Sequence, residues 1–382
     1  MAQVYALKYL AKAAASAPRD ILNSYVARVH PIHPTVLIFH CTFVCDARCE
    51  MCNNWKRGDR KSDMSLAEIQ QAFKSPLWKN IENANISGGE PTTRNDLVDI
   101  ARAMLDSFPR LRKLGLNTTG LTPHRGIPML TKIVELCHER GVIFSTRVSI
   151  DGVGEMHNQV RAVKRGFEKA NETIRAMKEL QKKYSFNFGI STTIFHTNLN
   201  DAENILAWAR SENLDIVFNM VRFTEPMLGN NELAANIQPH GEEEQRMRQF
   251  FLDRVRNDSM FDGQNYVYMH YADMIANGYH RLSPCPFQTQ GIMLNPDGGM
   301  FFCENSEVIG NVKDSDPEEL YFRASSQQHR NWIRDEKCPS CLSPCQMNVS
   351  AVKQVTPYVK FLVRASGEKR KHRRRVESGS RI

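Results

Sequence analysis

Between Pro34 and Phe223, short apolar runs of strand length alternate with longer stretches whose apolar residues recur at helical spacing. The runs predict β-strands over 36–40, 83–87, 113–117, 144–150, 188–193 and 216–220. Between them the pattern predicts helices over 65–74, 97–107, 130–140, 167–183 and 200–212. The first opens on Ser65-x-x-Glu68, a capping box, and the third is closed by Gly141. Strands and helices in strict alternation form parallel β/α units, so the predicted fold class is α/β.

Beyond residue 225 the pattern changes. Residues 225–280 form a polar connector with two predicted helices, 242–256 and 266–279, and no residue in it identifies itself as functional. The segment Ile292 to Cys303 reads as a β-hairpin turning at Asp297-Gly298.

The apolar runs end in residues suited to chemistry: Ser87-Gly88-Gly89-Glu90, Asn117-Thr118-Thr119-Gly120 and Ser149-Ile150-Asp151-Gly152. These are carboxyl ends of predicted strands, where α/β folds place their ligands. Just after the first strand, Cys45, Cys49 and Cys52 follow a C-x3-C-x2-C spacing. Iron–sulfur clusters are normally held by four cysteines. Three leave one iron open, and an open position separates a catalytic metal site from a structural one. A zinc site or buried structural thiols also use cysteine, although zinc sites favour paired C-x2-C knuckles. Cys41 ends the first apolar run and reads as a spare thiol; Cys137, on an apolar helix face, reads as core packing.

The cysteine loop resembles the signature of the radical S-adenosylmethionine (radical SAM) enzymes, and Ser87 to Pro91 resembles that family's Gly-Gly-Glu-Pro motif. The strand ends at 114–120 and 147–152 are similar to the family's cofactor-contacting strand ends. The resemblance implies a partial (β/α)6 barrel, a [4Fe–4S] cluster on Cys45, Cys49 and Cys52, and S-adenosylmethionine on the free iron. One electron from the cluster then yields methionine and a 5′-deoxyadenosyl radical. It further implies that Gly88, Gly89 and Glu90 bind the methionine ammonium, and that Asn117 and Ser149 reach the ribose and carboxylate. The chain departs from the family in having Met51, in place of an aromatic residue, before the third cysteine; Trp55 follows three residues past the motif. The run 156–168 resembles the helix start of relatives with a second cluster. Its His157 and Arg161 read as solvated or helix-capping residues and are assigned no role.

Cys285, Cys303, Cys338, Cys341 and Cys345 lie in the last quarter of the chain among prolines that stiffen ligand loops. Local hairpin structure can bring Cys285 and Cys303 together. The arrangement resembles the SPASM/Twitch extension of radical SAM enzymes, which holds auxiliary four-iron clusters. Five cysteines are too few for two such clusters, so one auxiliary [4Fe–4S] cluster is expected. Its expected ligands are Cys285, Cys303, Cys338 and Cys341, with Cys345 an alternative fourth ligand or a free thiol able to return a hydrogen atom. A structural zinc ribbon at these cysteines is the competing reading.

The expected organisation is an amphipathic amino-terminal segment 1–33, a barrel 34–224, the connector 225–280, an auxiliary cluster domain 281–350 and a basic tail 351–382. No apolar run reaches 18 residues and the amino terminus lacks the charged-then-apolar pattern of a signal sequence, which argues against a membrane span or secretion, so a cytoplasmic protein is expected. Ten cysteines then point to metal ligation rather than disulfides. Of the net charge of +8, five charges fall after Gly367. That tail is expected to be disordered and solvated; nucleic acid is not an expected partner, and with the amino-terminal segment it leaves a weak membrane-surface contact open.

The expected function is that of a radical SAM enzyme, of oxidoreductase or epimerase type, served by a reductant such as flavodoxin or ferredoxin. It would abstract hydrogen from a small molecule such as a sugar or aminocyclitol. The alternatives are a maturase of a ribosomally made peptide and a non-catalytic iron–sulfur or zinc protein.

Overall fold

A computed structural model describes residues 30–343 except 226, 259–261 and 282–284, residues 355–377, and Pro18, Leu22, Val26 and Ala27 further upstream. Cys345, most of the 1–33 segment and the extreme end of the basic tail lie outside the described residues.

Six parallel strands follow one another across the sheet in chain order: β1 Val36–Thr42, β2 Asn83–Gly88, β3 Lys113–Thr118, β4 Ile143–Ser149, β5 Asn187–Ile194 and β6 Ile216–Met220. All six predicted strands are present. On the other side of β1, strand β7 (Gly291–Leu294) adds in parallel, with Val36 beside Gly291 and Phe39 beside Leu294. Strands β8 (Gly299–Phe301) and β9 (Gly310–Asn311) continue the same sheet in antiparallel fashion. The sheet ends at β6 on one side and β9 on the other without closing, which makes it a partial barrel of the α/β class.

Helices α1 Leu66–Ala72, α2 Leu97–Ser107, α3 Pro123–Glu139, α4 Glu155–Arg161, α5 Gly166–Lys183 and α6 Ala202–Ser211 fill the crossovers. The predicted capping box forms: the Ser65 hydroxyl accepts from Glu68 N–H at 3.3 Å, and the Glu68 carboxylate accepts from Ser65 N–H at 2.8 Å. Helix α3 begins at Pro123, earlier than the expected 130, because proline at the first helical position loses no hydrogen bond. Successive strand residues alternate between two faces. Ile86, Leu116, Val148 and Ile190 are fully buried against the helices, while Asn85, Asn117, Ser149 and Ser191 line cavities in the barrel interior. Cys137 is buried in the apolar core, as read from the sequence, and Cys41, read as a spare thiol, is buried there as well.

Helices α7 (Glu242–Asn257) and α8 (Gly263–Ala276) form the connector, α9 (Pro317–Phe322) and α10 (Ala324–Trp332) follow the hairpin, and α11 (Val355–Glu377) ends the described chain. The expectation of a disordered terminus from Gly367 onward fails for 367–377, which continue helix α11. Helix α11 packs on α7 and α8 through Phe361, whose ring centroid is 5.5 Å from that of Tyr266, and through an Arg256–Glu368 ion pair of 2.8 Å. Among the described residues no helix is long and apolar enough to cross a membrane.

Candidate functional site

The loop after β1 carries Cys45, Cys49 and Cys52 to one wall of a cavity of about 350 Å³ at the carboxyl ends of the strands. Gly88, Gly89, Glu90, Asn117 and Ser149 border the same cavity, so every barrel residue expected to hold the cluster or its cofactor meets there.

The two glycines are required by a close approach. A Cβ on Gly88, where φ is +127°, would lie 2.1 Å from the Thr42 carbonyl oxygen, and one on Gly89 would lie 2.4 Å from that of Val44. Gly89 N–H donates to Thr42 O at 2.8 Å and Glu90 N–H to Val44 O at 2.9 Å, so the end of β2 is stitched to the cysteine loop.

Glu90 is fully buried. Its Oε1 accepts from the Thr92 and Thr118 hydroxyls at 2.7 and 2.8 Å and from Thr92 N–H at 3.1 Å, and its Oε2 accepts from Thr119 N–H at 2.6 Å. Burial, reinforced by Asp46, raises its pKa, while these hydrogen bonds act in the opposite direction. Four protein hydrogen bonds thus fix the carboxylate at the cavity wall.

Burial also raises the pKa of all three thiols. Cys49 reaches only about 11, because the Arg161 guanidinium favours its thiolate. Metal ligation needs the thiolate, so loading releases protons.

Arg161 and His157 are where the structure departs from the sequence reading. Neither is a solvated cap: His157 is fully buried and Arg161 is 9 % exposed. Arg161 Nη1 donates to Cys49 Sγ at 3.5 Å and its Nη2 lies 2.5 Å from Asp151 Oδ2. Arg222, just past β6, and Trp55 also border the cavity and carried no assignment. The one available signal was the Ser149-Ile150-Asp151-Gly152 strand end, which announces a carboxylate in need of a cation.

The donor set fits a group with an open metal position. Among the described residues, three cysteines and no fourth border the cavity. Buried polar atoms there, Asn54 Oδ1, Trp55 Nε1 and Arg161 Nε, have no hydrogen-bond partner among the described residues, as a polar ligand site requires.

Deeper in the barrel, a second cavity of about 680 Å³ shares Asn117, Ser191 and Asn219 with the first. It is lined largely by hydrogen-bonding and charged side chains, among them Asn85, Lys113, Arg147 and Asp215.

Outside the barrel, Cys285, Cys303, Cys338 and Cys341 border one small cavity together with Glu304 and Arg281. Cys341 Sγ accepts from Asn305 Nδ2 at 3.1 Å and from Ser343 N–H at 3.4 Å. Burial raises the pKa of Cys285 and Cys303 and pushes Cys341 up to about 12. Among the described residues no three His, Cys, Asp or Glu side chains converge on a single-ion position.

Several known proteins are similar to this chain. The GTP 3′,8-cyclase of Pasteurella multocida is 24 % identical over 60 % of this chain and 65 % of its own. The AdoMet-dependent heme synthase of Methanosarcina barkeri is 30 % identical over 44 % and 45 %. The chain spans less than two thirds of the length of these curated relatives. Among solved structures, Streptococcus suis SuiB bound to S-adenosylmethionine has a TM-score of 0.54 at 13 % identity, over 85 % of this chain and 75 % of that one. Native anSMEcpe with bound AdoMet has a TM-score of 0.55 at 16 % identity, over 87 % and 100 %. At such identities these two likenesses establish the fold alone. The family model described as Radical SAM superfamily matches residues 40–209, which are therefore a radical SAM superfamily domain.

Proposed function

We propose that the chain is a radical SAM enzyme, with Cys45, Cys49 and Cys52 ligating a [4Fe–4S] cluster and S-adenosylmethionine occupying the adjoining cavity. The observation that carries this reading is the meeting of three thiols and a Gly-Gly-Glu strand end on one cavity of about 350 Å³. When bound, the cluster and S-adenosylmethionine supply a 5′-deoxyadenosyl radical that abstracts hydrogen from substrate. The chain's share is position and shelter. Gly88 and Gly89 let β2 close on the cysteine loop, Glu90 offers a fixed acceptor to the methionine ammonium, and Asn117 and Ser149 offer polar groups to the ribose and carboxylate.

In the same reading, Cys285, Cys303, Cys338 and Cys341 hold one auxiliary [4Fe–4S] cluster in a Twitch-like domain over 281–350, beside the barrel 34–224 and connector 225–280. Their common cavity supports this, and the N–H···S bonds to Cys341 are the kind that tune such clusters. The auxiliary cluster would take the electron released on substrate oxidation. Flavodoxin or ferredoxin in the cytoplasm would reduce the first cluster.

The proposed substrate is a small polar molecule such as a sugar or aminocyclitol. The deeper cavity favours it, since amide, hydroxyl and charged groups there can bind hydroxyls. The second reading, a maturase of a ribosomally made peptide, is favoured by the fold shared with SuiB, which is solved bound to precursor peptide SuiA.

Equilibrium dialysis of S-adenosylmethionine against the anaerobically reconstituted protein tests the assignment. Saturable binding to wild type, weakened at least tenfold by Glu90→Ala with iron content retained, is the expected result. A fully loaded wild type that binds no S-adenosylmethionine contradicts it.

A further inference from the structure

Cys49 is gripped from outside its own loop. Arg161, the last residue of α4, donates from Nη1 to Cys49 Sγ at 3.5 Å while its Nη2 sits 2.5 Å from Asp151 Oδ2. Asp151 is immobilised in turn. It is fully buried; its Oδ1 accepts from Thr193 N–H at 2.8 Å, its carbonyl accepts from Asn198 Nδ2 at 3.0 Å, and its N–H donates to His157 Nδ1 at 3.2 Å. The same end of α4 also holds the loop backbone, since Arg48 N–H donates to Arg161 O at 3.1 Å and Glu50 N–H to Val160 O at 3.0 Å. One cysteine of the three therefore faces a fixed, desolvated guanidinium whose charge is offset by a single carboxylate behind it.

We infer that Arg161, anchored by Asp151, sets the reduction potential of the iron–sulfur cluster through Cys49. The inference rests on the proposed function above. The step concerned is a one-electron transfer: an external low-potential reductant loses one electron, the cluster gains it, and no bond or proton moves. Reduction adds negative charge to the cluster, and a cationic N–H donor on a ligand sulfur stabilises that added charge. Arg161 therefore raises the potential. Asp151 offsets part of the positive charge and lowers it, while keeping the guanidinium aimed at Cys49. Arg161 acts through a ligand and is a positioning residue. Its partner choice explains why a basic residue is buried here at all: an unpaired guanidinium at this depth carries a heavy desolvation cost.

The test is an EPR-monitored redox titration of wild type, Arg161→Gln, Arg161→Lys and Asp151→Asn, each reconstituted anaerobically and titrated without S-adenosylmethionine. The relevant signal is identified by its change when S-adenosylmethionine is added to a parallel sample. At the wild-type midpoint, Arg161→Gln is expected to show a tenfold lower ratio of reduced to oxidised cluster, equivalent to 59 mV for one electron. Arg161→Lys should recover part of that loss, and Asp151→Asn should shift the ratio in the opposite direction. A purely structural role would not move the two neighbours in opposite senses. Midpoints equal to wild type in variants with full iron content, or shifts of the same sign for Arg161→Gln and Asp151→Asn, overturn the inference. Should Arg161→Gln fail to hold iron, Arg161→Lys and Asp151→Asn decide it alone. A wild type that forms no cluster responsive to S-adenosylmethionine instead overturns the functional reading, and this inference with it.

Discussion

Arg222 Nε and Glu304 Oε2 meet 3.2 Å apart, joining the two cysteine sites. Arg222 borders the cavity of Cys45, Cys49 and Cys52, and Glu304, which follows Cys303 and is 2 % exposed, borders that of the carboxy-terminal cysteines. Breaking a fully buried pair by removing one partner costs about 3–5 kcal/mol. The Arg222 side chain is 35 % exposed, so water screens part of that loss and Arg222→Met is expected to cost roughly 2 kcal/mol. Adding Glu304→Gln should recover most of it in anaerobic denaturant unfolding. Strictly additive losses in the double variant would show that the pair is not coupled.

Gly89 is expected to be intolerant of any side chain. The nearest atoms to a Cβ there are backbone, Val44 O at 2.4 Å and Phe43 O at 2.6 Å, and neither can swing aside. Gly89→Ala should therefore lower both the melting temperature and the iron bound on reconstitution. Gly141→Ala is the control: its φ is +65° but nothing lies within 4 Å of a Cβ, so about 1 kcal/mol of stability is lost and iron loading is unchanged.

His270 makes stability depend on pH. It is buried in α8 with neither ring nitrogen hydrogen-bonded among the described residues, and burial, with Arg281 adding, lowers its pKa to about 3. Above about pH 6.5 both the folded and unfolded states are neutral at this residue and nothing is lost. As pH falls from 6.5 toward 3, only the unfolded chain takes the proton, and stability declines by about 1.4 kcal/mol per pH unit for this group. His157 and His40, lowered to about 3 and about 4, add losses of the same sign. His270→Phe should flatten the decline between pH 6 and 5 by one proton's worth, read from urea unfolding at the two pH values. An unchanged slope would contradict the assignment.

The strands were legible because each needs only a local apolar run ending in small polar residues, and Gly88 to Glu90 and Cys45 to Cys52 advertise themselves by spacing. Arg161 was not legible. A basic residue in the last turn of a helix looks like an ordinary partner for the helix dipole, and only the fold brings it between Cys49 and Asp151. The first turns of helix α3 are hidden in the sequence because Pro123, Gly126 and Pro128 carry the signals of a loop. The charge after Gly367 points to a solvated terminus, but just upstream Tyr358, Phe361, Leu362 and Ala365 recur at the spacing of an apolar stripe and anchor α11. The anchoring of Glu90 by Thr92, Thr118 and Thr119 depends on two strand ends meeting, which no single segment encodes.

Helix α11 is expected to stabilise the connector. Phe361 is 4 % exposed and its ring meets Tyr266 and Tyr358 at 5.5 and 5.7 Å. Phe361→Ala should cost about 3 kcal/mol, as core aromatic truncations do, while Val363→Ala, at a residue 69 % exposed, should be nearly neutral. Equal, small effects in thermal unfolding would mean that the helix does not pack as described.

The most direct test is anaerobic iron and sulfide quantification with EPR and a 5′-deoxyadenosine assay under dithionite, on wild type and on the Cys45→Ala/Cys49→Ala/Cys52→Ala variant. About eight irons should fall to about four in the variant, as one of two four-iron clusters is lost, and only wild type should release 5′-deoxyadenosine. Equal iron in the two proteins, or no 5′-deoxyadenosine from a fully loaded wild type with S-adenosylmethionine bound, would contradict the assignment.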